Sequence, residues 1–263
     1  MKPLKLLIDC DYFLYRAAAA AEIEMDYSQD LTIVVGDYEQ GKKIVTHELS
    51  QLYERFDSTD VLLAFTDQRN FRKCIDETYK GNRTKRKPAG YLKLKEWAMF
   101  TYPSIMKDAL EADDVCGILA TNGSLDNFVL ISPDKDMEQI ACRIYNLKNE
   151  FTQTPEDAEL KLWEQALSGD QTDGYGGCKG VGPKKAAQIL SKKKDSYWDL
   201  VVQAYKDAGQ TEEDALRNLR LAKILQAEDW DAEKQKPILI TPNETIHKRK
   251  ETHQKHATSK GHV

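Results

Sequence analysis

The chain has 263 residues, of which 41% are apolar and 31% charged, with a net charge of −5. This is enough apolar material for one large or two modest packed domains, and no apolar run reaches the roughly 18–20 residues of a membrane-spanning helix. Five cysteines without a C-x-x-C pair, and one histidine (His47) outside the last 17 residues, argue against a disulfide framework, a zinc knuckle or a nucleophile–histidine triad.

Leu4–Ile8 reads as a short buried strand, cut off by Asp9 and Asp11, and an alanine-rich helix follows around Leu14–Ile23. Leu31–Val35 fits either element. Val45, Leu49, Leu52 and Phe56 form a helical stripe, and Val61–Phe65 is a second apolar strand. A helix is predicted over Ser104–Ala120, then strands at Phe128–Ile131 and Ile144–Leu147. Thr154-Pro155-Glu156-Asp157 starts a helix that stops at Gly169. Pro183–Leu190 and the segment after Thr211-Glu212-Glu213-Asp214 are further helices, and the polar, basic tail 241–263 is expected to be disordered. Strands alternating with helices predict an α/β fold with a mainly parallel sheet. The expected division is 1–150 as the α/β core, 151–240 as a helical region, then the tail.

The acids sit where such a sheet presents ligand sites. Asp9, Asp67, and Asp134 with Asp136 follow three strands, at carboxyl ends in a parallel sheet. Glu111, Asp113 and Asp114 cluster on the predicted helix, and Asp170 and Asp173 lie in a glycine-flanked loop. One acid past a strand is most often a turn or cap residue. Several converging are another matter. Two carboxylates about 4 Å apart repel by about 4 kcal/mol at an effective dielectric of about 20, so a cluster must take up protons or cations. Oxygen-only ligands select Mg²⁺ or Mn²⁺, and two such ions can activate water and stabilise a leaving oxygen in phosphodiester cleavage.

The bases are equally segregated: ten lie between Asp67 and Lys95 against three acids, and six lysines with no acid lie from Lys179 to Lys194. An acidic chain with local basic stretches fits a nucleic-acid binder whose acids are gathered at a separate metal site. Within the first stretch, Lys80 and Arg83 of Tyr79-Lys80-Gly81-Asn82-Arg83 can stabilise charge on a scissile phosphate. In Gly180-Val181-Gly182-Pro183-Lys184-Lys185, the glycines admit a phosphate to backbone N–H groups and Pro183 opens a helix facing it, as in a helix-hairpin-helix. The competing reading of both stretches is a solvated basic face.

The order of these motifs resembles the flap endonuclease/5′→3′ exonuclease superfamily. They are Ile8-Asp9 with Tyr15-Arg16, Asp67, Phe71-Arg72, Tyr79–Arg83, Glu111–Asp114, Ser132-Pro133-Asp134-Lys135-Asp136, Gly169-Asp170-x-x-Asp173 and Gly180-Val181-Gly182. Ala64-Phe65-Thr66-Asp67, Lys87-Pro88-x-Gly90-Tyr91 and Gly209-x-Thr211-Glu212-Glu213-Asp214 are most similar to the exonucleases of short-tailed, T-seven-like phages. The resemblance implies a Rossmann-like sheet with a helical arch over 67–103 and a helix-hairpin-helix near 169–191. It implies that Asp9, Asp67, Glu111, Asp113, Asp114, Asp134, Asp136, Asp170 and Asp173 hold two Mg²⁺ or Mn²⁺ ions, with Asp11 beside them rather than among them. Lys80 and Arg83 then act on the scissile phosphate, Tyr15 stacks near the terminal base and Arg72 contacts the substrate backbone. Gly180, Gly182, Lys184 and Lys185 grip the duplex at a hairpin that can hold K⁺. Gly174-Tyr175 and Cys178 depart from the superfamily pattern, which bears on the K⁺ site.

The expected activity is 5′→3′ exonucleolytic hydrolysis of duplex DNA from 5′ ends, with RNA of RNA–DNA hybrids as a further substrate. The expected protein is a monomer in the cytoplasm, host cytoplasm for a phage-encoded chain, with no membrane partner. A flap endonuclease is the alternative of the same class; a catalytically inactive DNA-end binder and a PIN-type ribonuclease are the others.

Overall fold

A computed structural model describes residues 3–193 and 196–241, so the tail from residue 242 onward lies outside the described residues. They form two compact units. The first combines 3–71, 84–158 and 224–235, and the second 72–83, 159–223 and 236–241. This division differs from the 1–150/151–240 split expected from the sequence. The basic stretch is cut between the two units, and 224–235 returns to the first.

The first unit is built on a sheet of order β5-β4-β1-β6-β7-β8. Its strands are β1 (Lys5–Asp9), β4 (Val61–Phe65), β5 (Ser104–Met106), β6 (Phe128–Ile131), β7 (Arg143–Tyr145) and β8 (Glu150–Thr152). All pair in parallel except β7 with β8, which is antiparallel. In β1, Leu6, Leu7 and Ile8 are all buried, as a continuous apolar run in a central parallel strand requires. The register sets Asp9 beside Ala64, and Ile8 between Leu63 and Ile131.

Helices α1 (Cys10–Ala20), α2 (Tyr38–Phe56) and α3 (Tyr91–Thr101) cover one apolar core, with Leu14, Val45, Leu49, Leu94 and Ala98 buried. The helix expected over Ser104–Ala120 is instead β5 followed by α4 (Ala112–Thr121). Its start is fixed by a reciprocal cap between Glu111 and Asp114, after Ala109 turns the chain at a φ of 56°. The ambiguous Leu31–Val35 is strand β3 (Leu31–Gly36), which pairs with β2 (Glu22–Ser28) in an antiparallel hairpin.

The expected arch over 67–103 is not one helical element. It consists of a single 3₁₀ turn (Phe71–Cys74), irregular chain and α3, whose Tyr91, Leu94 and Ala98 are spent on the core. The polar run Thr84–Lys87 has no apolar face to bury, so no helix gains packing there.

Helix α5 (Pro155–Ser168) begins in the first unit and belongs from Glu159 to the second. With α6 (Pro183–Leu190), α7 (Tyr197–Asp207) and α8 (Glu212–Ala222) it encloses a core that includes Leu167, Tyr175, Val181, Val201 and Leu219. Thr211 and Asp214 cap α8 reciprocally, as their spacing predicts.

Candidate active site

In the first unit the acids gather where β1, β4 and β6 end. Asp9 is both the last residue of β1 and the N-cap position of α1, and its Oδ2 accepts from the Ser132 hydroxyl at 3.0 Å. Ser132 is fully buried just past β6, and its oxygen also accepts from the Asp134 N–H at 3.2 Å. Asp134 in turn accepts from the Asp136 N–H at 2.9 Å and starts the 3₁₀ turn Lys135–Gln139. Burial first, then the charges of Asp11 and Asp134, push the Asp9 carboxyl up to about 7 despite the Ser132 bond. A carboxylate held this way gains from any added cation.

Asp67, two residues past β4, is fixed by backbone. Its N–H donates to the Leu110 carbonyl and its Oδ2 accepts from the Ala109 N–H at 2.8 Å. That Ala109 bond, ahead of the Gln68 and Arg69 N–H groups and the Arg69 charge, holds its carboxyl below the ordinary range. The same exchange puts Asp67 beside the chain entering α4.

Glu111, Asp113 and Asp114 each present a carboxylate oxygen within 4.8 Å of the others. They are not equivalent. Asp114 is fully buried; its Oδ1 accepts from the Leu225 N–H at 3.0 Å and its Oδ2 from the Glu111 N–H at 3.3 Å. It therefore also ties the returning segment 224–235 to α4. At Gly117 on the same helix, a Cβ would lie 2.3 Å from the Leu225 carbonyl oxygen, so only glycine admits that segment.

The second unit holds the other predicted residues. Gly169 and Gly177, with φ of 68° and 64°, approach so closely that a Cβ on either would sit 2.4 Å from the other's nitrogen. They pinch off a loop in which the Asp170 carboxylate accepts from the Thr172 and Asp173 N–H groups at 2.7 and 3.3 Å. The Asp173 carboxylate accepts from the Tyr79 hydroxyl at 2.8 Å and the Arg83 guanidinium at 2.5 Å, with the Lys80 ammonium at 3.5 Å. Lys80 also donates its backbone N–H to the Asp173 carbonyl at 2.7 Å. Thus Tyr79–Arg83, which the sequence marks for phosphate chemistry, docks on the acidic loop.

Arg72 corrects an expectation. It is 1% exposed and donates to the carbonyls of Leu221 and Lys223 at 3.0 and 2.7 Å, so it braces the end of α8 instead of facing a substrate backbone. Tyr15 is exposed on α1. At the hairpin, Gly180 has a φ of 70°, Val181 is buried, and Gly182 precedes Pro183 at the start of α6. Lys184 and Lys185 are exposed there. Cys178 is buried in the same core, which is what an aliphatic residue would do at that position.

All-oxygen donors at the ends of three parallel strands, with one carboxyl raised by burial and then by its like-charged neighbours, suit a hard divalent cation. The model of the 5′-3′ exonuclease N-terminal resolvase-like domain matches residues 5–162. The chain belongs to this family. Beyond the family domain, it is 28% identical over 283 residues to the exodeoxyribonuclease of Enterobacteria phage T3, covering 90% of this chain and 92% of that protein. It is 29% identical over 272 residues to the exonuclease of Escherichia phage T7, covering 86% and 89%. These alignments span nearly the whole chain, so the similarity continues past the family domain. In fold, this 5′-3′ exonuclease family member is similar to the flap endonuclease of bacteriophage T5 in a pseudo-enzyme–product complex with DNA and metal ions. The TM-score is 0.62 at 19% identity, over 84% of this chain and 89% of that one. The T5 protein co-crystallised with metal ions gives 0.60 at 18% identity over the same shares. No helix among the described residues is long and apolar enough to cross a membrane.

Two positioning residues, Ser132 and Thr66, escape a reading of the sequence by residue type. Ser132 carries a signal, since it stands two residues before Asp134 in Ser132-Pro133-Asp134-Lys135-Asp136. Thr66 carries none beyond its place before Asp67.

Proposed function

We propose that this 5′-3′ exonuclease family member is a Mg²⁺-dependent exonuclease that hydrolyses phosphodiester bonds at the 5′ ends of duplex DNA. The observation that carries the reading is the convergence of Asp9, Asp67 and Asp134 on one edge of the parallel sheet, with the Asp9 carboxyl raised to about 7. Asp9, Asp67, Glu111, Asp113, Asp134 and Asp136 are the ligands assigned to two ions. Asp114 joins them through whatever capacity its hydrogen bonds to the Leu225 and Glu111 N–H groups leave, and the assignment of Asp170 and Asp173 to the ions rests on the motif resemblance alone. When bound, Mg²⁺ or Mn²⁺ supplies Lewis-acid charge stabilisation to the hydrolysis.

The chain's own residues do the rest. Lys80 and Arg83 exchange the Asp173 carboxylate for the oxygens of the scissile phosphate, a swap between charge-assisted partners of the same kind. Tyr15 offers its exposed ring to the terminal base. The N–H groups around Gly180 and Gly182, at the uncapped start of α6, hold the duplex backbone with Lys184 and Lys185. K⁺ at this hairpin, hydrolysis of RNA in RNA–DNA hybrids, action as a monomer and a place in the host cytoplasm belong to the same proposal.

Digestion of one 5′-labelled duplex and one 5′-flap substrate, each with Mg²⁺ and with EDTA, tests it. Stepwise release from the duplex end in Mg²⁺ is the expected result. Cleavage confined to the flap junction would make the chain a flap endonuclease, and binding without cleavage in Mg²⁺ or Mn²⁺ would make it an end binder.

A further inference from the structure

Thr66, between the end of β4 and Asp67, has all three of its polar groups engaged. Its N–H donates to Asp11 Oδ2 at 2.9 Å, its carbonyl accepts from the Lys95 ammonium, and its Oγ1 accepts from the Ala112 N–H at 2.9 Å. The other oxygen of Asp11 accepts from the Tyr91 hydroxyl at 2.9 Å. Tyr91 and Lys95 are four residues apart on α3, hence on one face of it, and Tyr91 is 5% exposed.

Each end of this network touches a carboxylate-bearing element. Asp11 stands two residues after Asp9, Thr66 directly before Asp67, and Ala112 between Glu111 and Asp113. A turn of the Thr66 peptide would displace Asp67 and the start of α4 together. We infer that Asp11, with Tyr91 and Lys95, is a positioning device that clamps Thr66 and so sets the spacing of Asp9, Asp67 and Glu111, and that Asp11 is not itself a metal ligand. The inference rests on the nuclease reading above.

The chemistry explains why a carboxylate is needed at position 11. A carboxylate accepts from the Thr66 N–H and the Tyr91 hydroxyl at once and adds a negative charge; an amide keeps only one accepting oxygen, so the Tyr91 hydroxyl would have to turn and accept from its NH₂. Groups that orient metal-binding side chains typically change metal affinity or activity by about 10–100-fold when removed.

The test is Mn²⁺ titration of the full chain without DNA, by calorimetry, alongside thermal unfolding without metal. Asp11→Asn is expected to weaken Mn²⁺ binding by about 10-fold or more. Tyr91→Phe keeps the ring in the core and removes one hydrogen bond, so it is expected to unfold at nearly the parent temperature while weakening Mn²⁺ about 3–10-fold. Weakening in Asp11→Asn with Tyr91→Phe unchanged would make Asp11 a direct ligand and overturn the clamp. Both variants within twofold of the parent would overturn it as well, with the nuclease reading intact. A parent chain that binds no Mn²⁺ would bring down both.

Discussion

Asp9 and Asp173 are the same residue type in opposite electrostatic settings. Asp9 is packed at a strand end beside Asp11 and Asp134, steadied by the neutral Ser132 hydroxyl, and its carboxyl is driven up to about 7. Asp173 lies in a loop where two cations and a tyrosine hydroxyl meet it. The first carboxylate is met by like charges and a neutral hydroxyl; the second is met by two cations, which a phosphate takes over in the proposed exchange. A tally of acids in the sequence treats the two alike, and the folded chain does not.

The sharpest way to break this contrast is to remove charge on the first side. Asp9→Asn is expected to lower the single-turnover cleavage rate by about 10³-fold or more, since a shared metal ligand stabilises the transition state rather than holding the duplex. Asp136→Asn is expected to behave alike, and DNA affinity in Ca²⁺ should stay near the parent's for both. Cleavage within tenfold of the parent at saturating Mg²⁺ would remove the substituted residue from the site.

Next in size is the role of the cations that meet Asp173. Lys80→Ala should slow the single-turnover rate about 10²–10³-fold, as for loss of a preorganised donor. If Lys80 acts on the phosphate, Lys80→Ala combined with Asp173→Asn should be slower than either alone. A double variant no worse than Asp173→Asn would mean that Lys80 serves only to hold that carboxylate, and the proposed exchange would be wrong.

A third measurement uses pH. The Asp9 carboxyl is raised from 3.8 to about 7, so the folded chain binds this proton more tightly than the unfolded chain does. Its stabilising effect is complete below the ordinary carboxyl range and is lost as pH rises through about 7. Metal-free protein should therefore unfold at a lower temperature at pH 8 than at pH 6, and Mg²⁺ should restore more at pH 8. In Asp9→Asn this pH step should shrink. The Mg²⁺ needed for half-activity should rise as pH falls below 7, by up to about tenfold per unit for one competing proton. A step of the same height in Asp9→Asn would assign the titration to another group.

What is legible in the sequence follows from which signals are local. The buried runs Leu4–Ile8, Val61–Phe65 and Phe128–Ile131 carry their burial in their own composition, which places the strands and the acids at their ends. The start of α4 depends on the reciprocal Glu111–Asp114 cap, and a reading that misses this cap runs the helix back to Ser104, through what is strand β5. Arg72 shows the limit more plainly. Its motif points to a substrate backbone, but its partners are carbonyls about 150 positions away. The docking of Tyr79–Arg83 on Asp173 is also long-range, with hydrogen bonds across 90 and 94 positions, and no spacing within either segment announces it.

The smallest expected effect separates gripping from cutting. Lys184 and Lys185 are exposed in the first turn of α6, just past the glycine hairpin, where the free N–H groups of the helix start favour an anion. Each lysine–phosphate pair removed should reduce the slope of log K against log[salt] by about one unit, so Lys184→Ala with Lys185→Ala should flatten it by up to about two. The weakening should be greatest at low salt, where counterion release contributes most. The cleavage rate at saturating DNA should stay close to the parent's, because neither lysine is among the groups assigned to the scissile phosphate. Both side chains can be replaced without burying or unpairing anything, apart from the Lys185 bond to the Gly180 carbonyl at 3.3 Å, so the unfolding temperature serves as the control. A salt slope equal to the parent's would mean that the two lysines only solvate a helix end. The hairpin would then lose its assigned role, while the carboxylates of the sheet would keep theirs.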